Sequence, residues 1–311
     1  MGDIISSICA IGLVIGAGLA LRRGGVITAE GVKVLTGLTY WAASPAMLFH
    51  AISTTDVERV FGSPLLVAAL SGLGSALVFV VLGGGFLGLR GGALALGAMS
   101  SSLNNAAYIG IPIAVYVLGE AAHVVPILVF QLAFLTPTFF VLADVAGSGR
   151  APTPVSVALT IVKNPMVVAA ALGFAVAASG LAVPTVLDVA TSMLGEGAPP
   201  MILLAFGASL VGTRFEHSHR DGAAILLAST GKLLVQPAIA CGVGALLGLR
   251  GPALMAVTVM AGLPTAQNAF IAAARAGTGM RIAQGAVLVT TLASLPLTVL
   301  TAWIFRSFVR V

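Results

Sequence analysis

Apolar runs of about twenty residues follow one another along almost the whole chain, separated by short segments that hold most of its few charges. A helix of about 20 residues crosses the ~30 Å hydrocarbon core of a bilayer and satisfies every interior backbone hydrogen bond within itself. Only 8% of the 311 residues are charged and 59% are apolar, so polar groups could not cover a water-facing surface. The sequence therefore predicts an all-α polytopic membrane protein. Division where charges, Pro and Gly cluster gives ten spans, at about 4–21, 33–52, 63–85, 92–118, 124–145, 155–178, 185–212, 222–248, 252–274 and 282–305.

The net charge of +5 does not point to nucleic acid, because the 15 Lys and Arg are scattered singly and form no basic stripe. Cys9 and Cys241 lie far apart in apolar runs and supply neither a disulfide framework nor a zinc pattern, so no metal or cofactor is expected. The first run begins at Asp3 without a basic leader and is followed by Arg22 and Arg23, which reads as a first span rather than a cleaved signal.

Basic residues collect on the cytoplasmic side of membrane proteins. Odd-numbered loops hold nine (Arg22, Arg23, Lys33, Arg90, Arg150, Arg214, Arg220, Arg275, Arg281), and even loops with the termini hold four (Arg59, Arg250, Arg306, Arg310). Odd loops inside and both termini outside are the expected orientation.

Proline positions suggest an internal repeat. Ser44-Pro45-Ala46-Met47-Leu48 matches Ala198-Pro199-Pro200-Met201-Ile202 at an offset of 154 (199 − 45). Pro112 and Pro264 differ by 152, and Pro137 and Pro296 by 159. The halves are then residues 1–147 and 148–311, each with five spans. Because five is odd, the second half enters the membrane from the opposite side, giving two inverted five-helix repeats of the kind found in secondary transporters.

The fourth span holds Ser100-Ser101-Ser102-Leu103-Asn104-Asn105-Ala106-Ala107-Tyr108-Ile109-Gly110-Ile111-Pro112, the most polar stretch inside any span. Amides at bilayer depth are costly unless they line a cavity or find partners. Pro112 removes a hydrogen bond to the Tyr108 carbonyl, so a break or bend is expected near it. The ninth span carries Gly262-Leu263-Pro264-Thr265-Ala266-Gln267-Asn268, where Pro264 has the same effect and Asn268 follows four residues later, on the same face of a helix. Broken helices at corresponding places in inverted halves point to a transport site. Residues 91–118 and 252–274 contain no Asp, Glu, Lys, Arg or His, while half-helix N-termini carry about +0.5 charge, so an organic anion fits better than a metal ion.

These segments resemble a known family. Asn105-Ala-Ala-Tyr108-Ile-Gly110-Ile-Pro112, Gly262-Leu-Pro264-Thr-Ala-Gln-Asn268-Ala, Tyr40-Trp-Ala-Ala-Ser-Pro45-Ala-Met-Leu-Phe49 and Lys163-Asn-Pro165, in that set and spacing, are similar to the auxin efflux carrier family. Ala107 departs from it, standing where the family commonly has Gly. The resemblance implies a ten-helix bacterial inner-membrane carrier whose fourth and ninth spans cross at their prolines. It implies substrate held there by Asn105 and by Gln267 or Asn268, and Asn104, Tyr108, Pro112 and Pro264 are counted with them as expected substrate-binding residues. It further implies a dimerising scaffold of spans 1, 2, 6 and 7, and a core of spans 3–5 and 8–10 that moves elevator-fashion. The substrates it implies are auxin-like compounds or small dicarboxylates such as malate and malonate.

Lys232, about ten residues into the eighth span, could neutralise an anionic substrate, pair with Glu196, or be structural. Glu196, before Pro199-Pro200, suits either proton coupling or a local helix cap. A sodium-coupled symporter of the bile-acid type is the alternative transport reading, although such carriers normally have acidic residues at their ion sites. No Ser, His and acid grouping supports catalysis, which leaves an intramembrane enzyme as a remote alternative. The orientation has a direct check: single cysteines at Ser148 and at Ser218 should label from the cytoplasmic side only, and labelling of either from outside intact cells would reverse it.

Overall fold

The computed structural model describes residues 2–54, 62–148, 153, 155, 159, 162–163, 165–211, 219–266 and 268–308. Among them every regular element is a helix, and the one β feature is an isolated antiparallel bridge between Asn104 and Thr265. Ser63–Gly85, Thr185–Ala208, Asp221–Leu246 and Met280–Phe305 are long and apolar enough to cross a membrane, and shorter apolar helices accompany them. This is the architecture of a polytopic membrane protein.

The chain divides into two compact units. The first comprises 1–61, 107–125 and 162–214. In it Gly2–Arg23 packs along Ala198–Ser209, and Ser44–Ser53 packs against Pro165–Ser179 and Thr185–Glu196. Two glycines make the first contact close. A Cβ on Gly18 would lie 2.2 Å from the Leu204 carbonyl oxygen, and one on Gly207 would lie 1.9 Å from that of Ile15. Each glycine, having no side chain, lets the backbone of the facing helix come close to it, as small residues allow between membrane helices.

The second unit comprises 62–106, 126–161 and 215–311. Ser63–Gly85 packs on Gly91–Ser102 and on Gln236–Leu246, while Met280–Phe308 packs on His219–Thr230 and Gly91–Ser102. Its apolar core includes Phe79, Leu96, Met99, Leu103, Leu135 and Ile282.

The prolines act differently from the expectation. Each of four π-helical turns, Thr39–Ala43, Ala106–Gly110, Gln131–Leu135 and Gly231–Val235, ends two residues before a proline: Pro45, Pro112, Pro137 and Pro237. A proline has no N–H for the carbonyl four residues back and its ring crowds that carbonyl. Those carbonyls belong to Trp41, Tyr108, Ala133 and Leu233, each the middle residue of its π turn. Widening the turn relieves the crowding while the helix continues. The break expected at Pro112 therefore lies earlier, at Leu103–Asn105, and Pro112 sits in the first turn of Ile111–Tyr116. Pro264 does lie inside its break, between Gly251–Ala261 and Asn268–Ala276. No helix joins Pro264 to Asn268, so the same-face relation expected of them does not hold. Pro296 lies within the continuous helix Met280–Phe308.

A second repeat, independent of the proline spacing, lies in the turns. Leu87-Gly88-Leu89-Arg90-Gly91 and Leu247-Gly248-Leu249-Arg250-Gly251 are the same five residues at an offset of 160 (250 − 90). Arg90 (φ −142°, ψ 162°) and Arg250 (φ −141°, ψ 163°) share one extended conformation. Gly91 at φ 53° and Gly251 at φ 51° follow in the left-handed region that glycine tolerates. Each arginine donates to two carbonyls of the preceding helix end and turn, Arg90 to Gly84 and Leu89, and Arg250 to Ala245 and Leu249.

Overpacking at the first unit's close contact gives a test. Gly207→Val should lower stability by about 1–3 kcal/mol, read as a fall in the thermal midpoint of detergent-solubilised protein. Gly12→Ala, whose Cβ meets nothing within 4 Å, should leave the midpoint unchanged.

Candidate functional site

The candidate site is assembled where two helices of the second unit stop. Gly91–Ser102 ends at Leu103, which turns extended (φ −85°, ψ 118°), and Gly251–Ala261 ends at Gly262. The freed segments pair antiparallel. Asn105 N–H donates to the Pro264 carbonyl at 2.8 Å and Ala266 N–H to the Leu103 carbonyl at 3.0 Å.

So short a ladder leaves its outer edges unpaired, and buried backbone groups left without partners are costly. Side chains serve them instead. On one edge the Gln131 amide docks on Asn104 as a surrogate strand: Asn104 N–H donates to Gln131 Oε1, and Gln131 Nε2 donates back to the Asn104 carbonyl at 3.0 Å. On the other edge Thr265 N–H donates to Thr290 Oγ1 at 2.9 Å. The Thr265 hydroxyl donates to the Ser100 carbonyl at 2.6 Å, and the Ser75 hydroxyl to the Ser101 and Gly231 carbonyls. All of these polar residues are buried.

Lys232 enters the same network from its π turn and is 0% exposed. Its ammonium donates to Asn104 Oδ1, to Gln236 Oε1 at 2.6 Å and to the Ala261 carbonyl at 2.7 Å. Its donors are thus used by neutral oxygens of its own unit. Glu196, considered as its partner, belongs to the first unit, is exposed, and accepts from the Ser192 hydroxyl.

Asn104, Asn105, Pro264 and Lys232 are therefore brought together, with Asn268 opening the next helix half-buried. Gln267 lies outside the described residues. Tyr108 and Pro112 fall in the other unit, Tyr108 half-buried and Pro112 buried. The two neighbouring asparagines differ in what they have left to offer. Asn104 gives its backbone to Gln131 and its side-chain oxygen to Lys232. Asn105 is 2% exposed, and its Nδ2 has no hydrogen-bond partner. Gln236 Nε2 is also buried without one. The orphaned amide groups of this network are both donors. Sequence reasoning missed Gln131 and Gln236, although each opens or directly follows a π turn ahead of a proline.

The family model described as "Membrane transport protein" matches residues 3–302. The chain belongs to this membrane transport family, the auxin efflux carrier-like one. It is also 27% identical over 287 residues to the "Putative malonate transporter" of Rhizobium meliloti (strain 1021), across 89% of this chain and 88% of that one. The buried, hydrogen-bonded crossing is thus a feature of a membrane transporter. Gln131→Leu should orphan the N–H of Asn104 at a cost of about 1–3 kcal/mol, while the Asn104 carbonyl keeps the Ala106 N–H at 2.8 Å. Thermal unfolding of the solubilised transporter should register that loss, and an unchanged midpoint would remove Gln131 from the account.

Proposed function

We propose that this transporter is a secondary carrier of a small organic anion, a mono- or dicarboxylate such as malonate or malate or an auxin-like acid, bound at the crossing of the fourth and ninth spans. The observation that carries the reading is the buried Asn105 amide, which has an unused donor beside the start of the half-helix that begins at Ala106. A helix N-terminus offers unsatisfied N–H groups and partial positive charge, and the orphaned Asn105 Nδ2 adds another donor. No acidic residue occurs in 91–118 or 252–274 to repel a carboxylate. Asn268 at the head of the other half-helix, with Gln267 before it, is the proposed second ligand. Lys232 contributes positive charge to the same network. The name carried by the Rhizobium relative supports a dicarboxylate.

The wider reading follows the same lines. Ten spans in two inverted repeats are supported by the duplicated Leu-Gly-Leu-Arg-Gly turn, because five spans separate its copies and copies so separated face opposite sides of the membrane. Spans 1, 2, 6 and 7 are proposed as the scaffold through which two copies associate in the inner membrane, and spans 3–5 and 8–10 as the core that moves elevator-fashion. Tyr108 and Pro112 continue the half-helix after Asn105, and Glu196 is retained as a candidate proton carrier.

Uptake into proteoliposomes of labelled mono- and dicarboxylates, with and without a pH or sodium gradient, tests the substrate class. A hydrogen bond from a neutral donor to a charged group contributes ~1.5–3 kcal/mol, so Asn105→Ala and Asn268→Ala should each weaken binding by about 10- to 150-fold. Affinities within about twofold of the parent in both folded variants would move the site elsewhere.

A further inference from the structure

The surroundings of Lys232 resemble the coordination shell of a metal cation more than an ion pair. Its three partners come from three separate stretches of chain: Asn104 in the break of the fourth span, Gln236 one turn further along its own helix, and Ala261 at the end of Gly251–Ala261. All three atoms are neutral oxygens without a hydrogen to give. A neutral amine has two N–H groups and a lone pair, and that lone pair would face the third oxygen. Three acceptors therefore require three donors, which only the ammonium form provides. The contacts at 2.6 and 2.7 Å fit charge-assisted hydrogen bonds. The Ala261 carbonyl lies at the negative end of its helix, where positive charge is stabilised. Carbonyl and amide oxygens converging on a buried single positive charge are how proteins hold alkali cations as well.

We infer that Lys232 is a resident cation: its tethered ammonium fills an oxygen cage that a free monovalent cation would otherwise have to fill, and it locks the broken end of the ninth span to the fourth without an ion from solution. The cage includes Asn104, whose backbone forms the crossing, so its occupancy is coupled to the geometry of the crossing itself. A carrier with a dissociable ion in such a cage would make the crossing depend on that ion. Here the charge cannot leave. The inference concerns the cage and not the ligand, so it stands apart from the anion reading and is tested without substrate.

The test compares thermal unfolding of the purified full-length transporter in chloride salts of sodium, potassium, ammonium, methylammonium and choline at one ionic strength. The unmodified protein should show the same midpoint in all five. Lys232→Ala removes the cation and leaves its three oxygens facing a void, and should lower the midpoint in choline, which is too large for the cage, by about 5–8 °C. Ammonium, methylammonium or an alkali cation should recover at least half of that fall. Lys232→Met fills the void with an apolar stem and should stay low in every salt. The inference is overturned if the unmodified protein needs a particular cation, if no cation recovers Lys232→Ala, or if Lys232→Met is as stable as the parent. Should Lys232→Ala yield folded protein only when extracted in one of the small cations, that is recovery; folded protein in none of them counts against the inference.

Discussion

A helix that stops inside a membrane protein and restarts leaves about eight backbone groups without helical partners, four on either side of the break, and the rest of the second unit is organised around settling those of two such helices. Pairing Leu103–Asn105 with Pro264–Ala266 satisfies two N–H groups and two carbonyls. Other groups fall to side chains drawn from the surrounding helices. Gln131 takes both edge groups of Asn104, Thr290 takes the Thr265 N–H, and Lys232 takes the last carbonyl of Gly251–Ala261. Each of these residues sits on a different helix. The crossing is thus held by the bundle and in turn fixes how the helices of the bundle must meet.

The class of fold was legible because apolar length and scarcity of charge dictate membrane helices whatever the details of packing. The prolines were harder to read. A proline forbids one hydrogen bond, but a chain has two ways to comply: it can open the helix, as at Pro264, or widen one turn and carry on, as before Pro45, Pro112, Pro137 and Pro237. Which occurs depends on whether a partner strand is present to receive the opened backbone, and that is a property of the fold rather than of the local sequence. At Asn104 the partner exists, and there the chain opens eight residues before Pro112. The duplicated Leu-Gly-Leu-Arg-Gly turn, in contrast, was in plain view, since it requires the same arginine and the same left-handed glycine at both copies.

The polar residues of 100–105 and 262–268 marked segments where the helices break, but not how labour is divided within them. Asn104 and Asn105 are adjacent and alike in sequence, yet the chain turns at Asn105, where the Ala106 N–H donates back to the Asn104 carbonyl at 2.8 Å, and the two side chains end with different surroundings. One becomes a ligand of Lys232 and the other keeps an unused donor. Lys232 was recognisable from its depth alone, whereas its three oxygens lie 128, 4 and 29 residues away in sequence. Gln131 was invisible for the same reason. Its role as a surrogate strand depends on the exposed edge of a ladder that forms only when the chain after Gly91–Ser102 meets the chain after Gly251–Ala261.

The two units are held together by different means, and the difference follows from what each must do with polar groups. In lipid, apolar surface gains little by leaving its surroundings, so helices associate through close backbone contact or through shared hydrogen bonds. The first unit uses close contact, with Gly18 and Gly207 letting Gly2–Arg23 and Ala198–Ser209 touch along their backbones. The second buries Ser75, Ser100, Ser101, Thr265 and Thr290, whose hydroxyls donate to backbone carbonyls at 2.6–3.3 Å. A broken helix can be kept only in the second kind of environment, because its exposed N–H and carbonyl groups need partners that a glycine seam cannot supply. Such an environment also leaves a few donors over when the protein's own acceptors are exhausted. Asn105 Nδ2 is one of them, and a buried donor without an acceptor is a place where an acceptor from outside the protein gains a hydrogen bond without having to displace one.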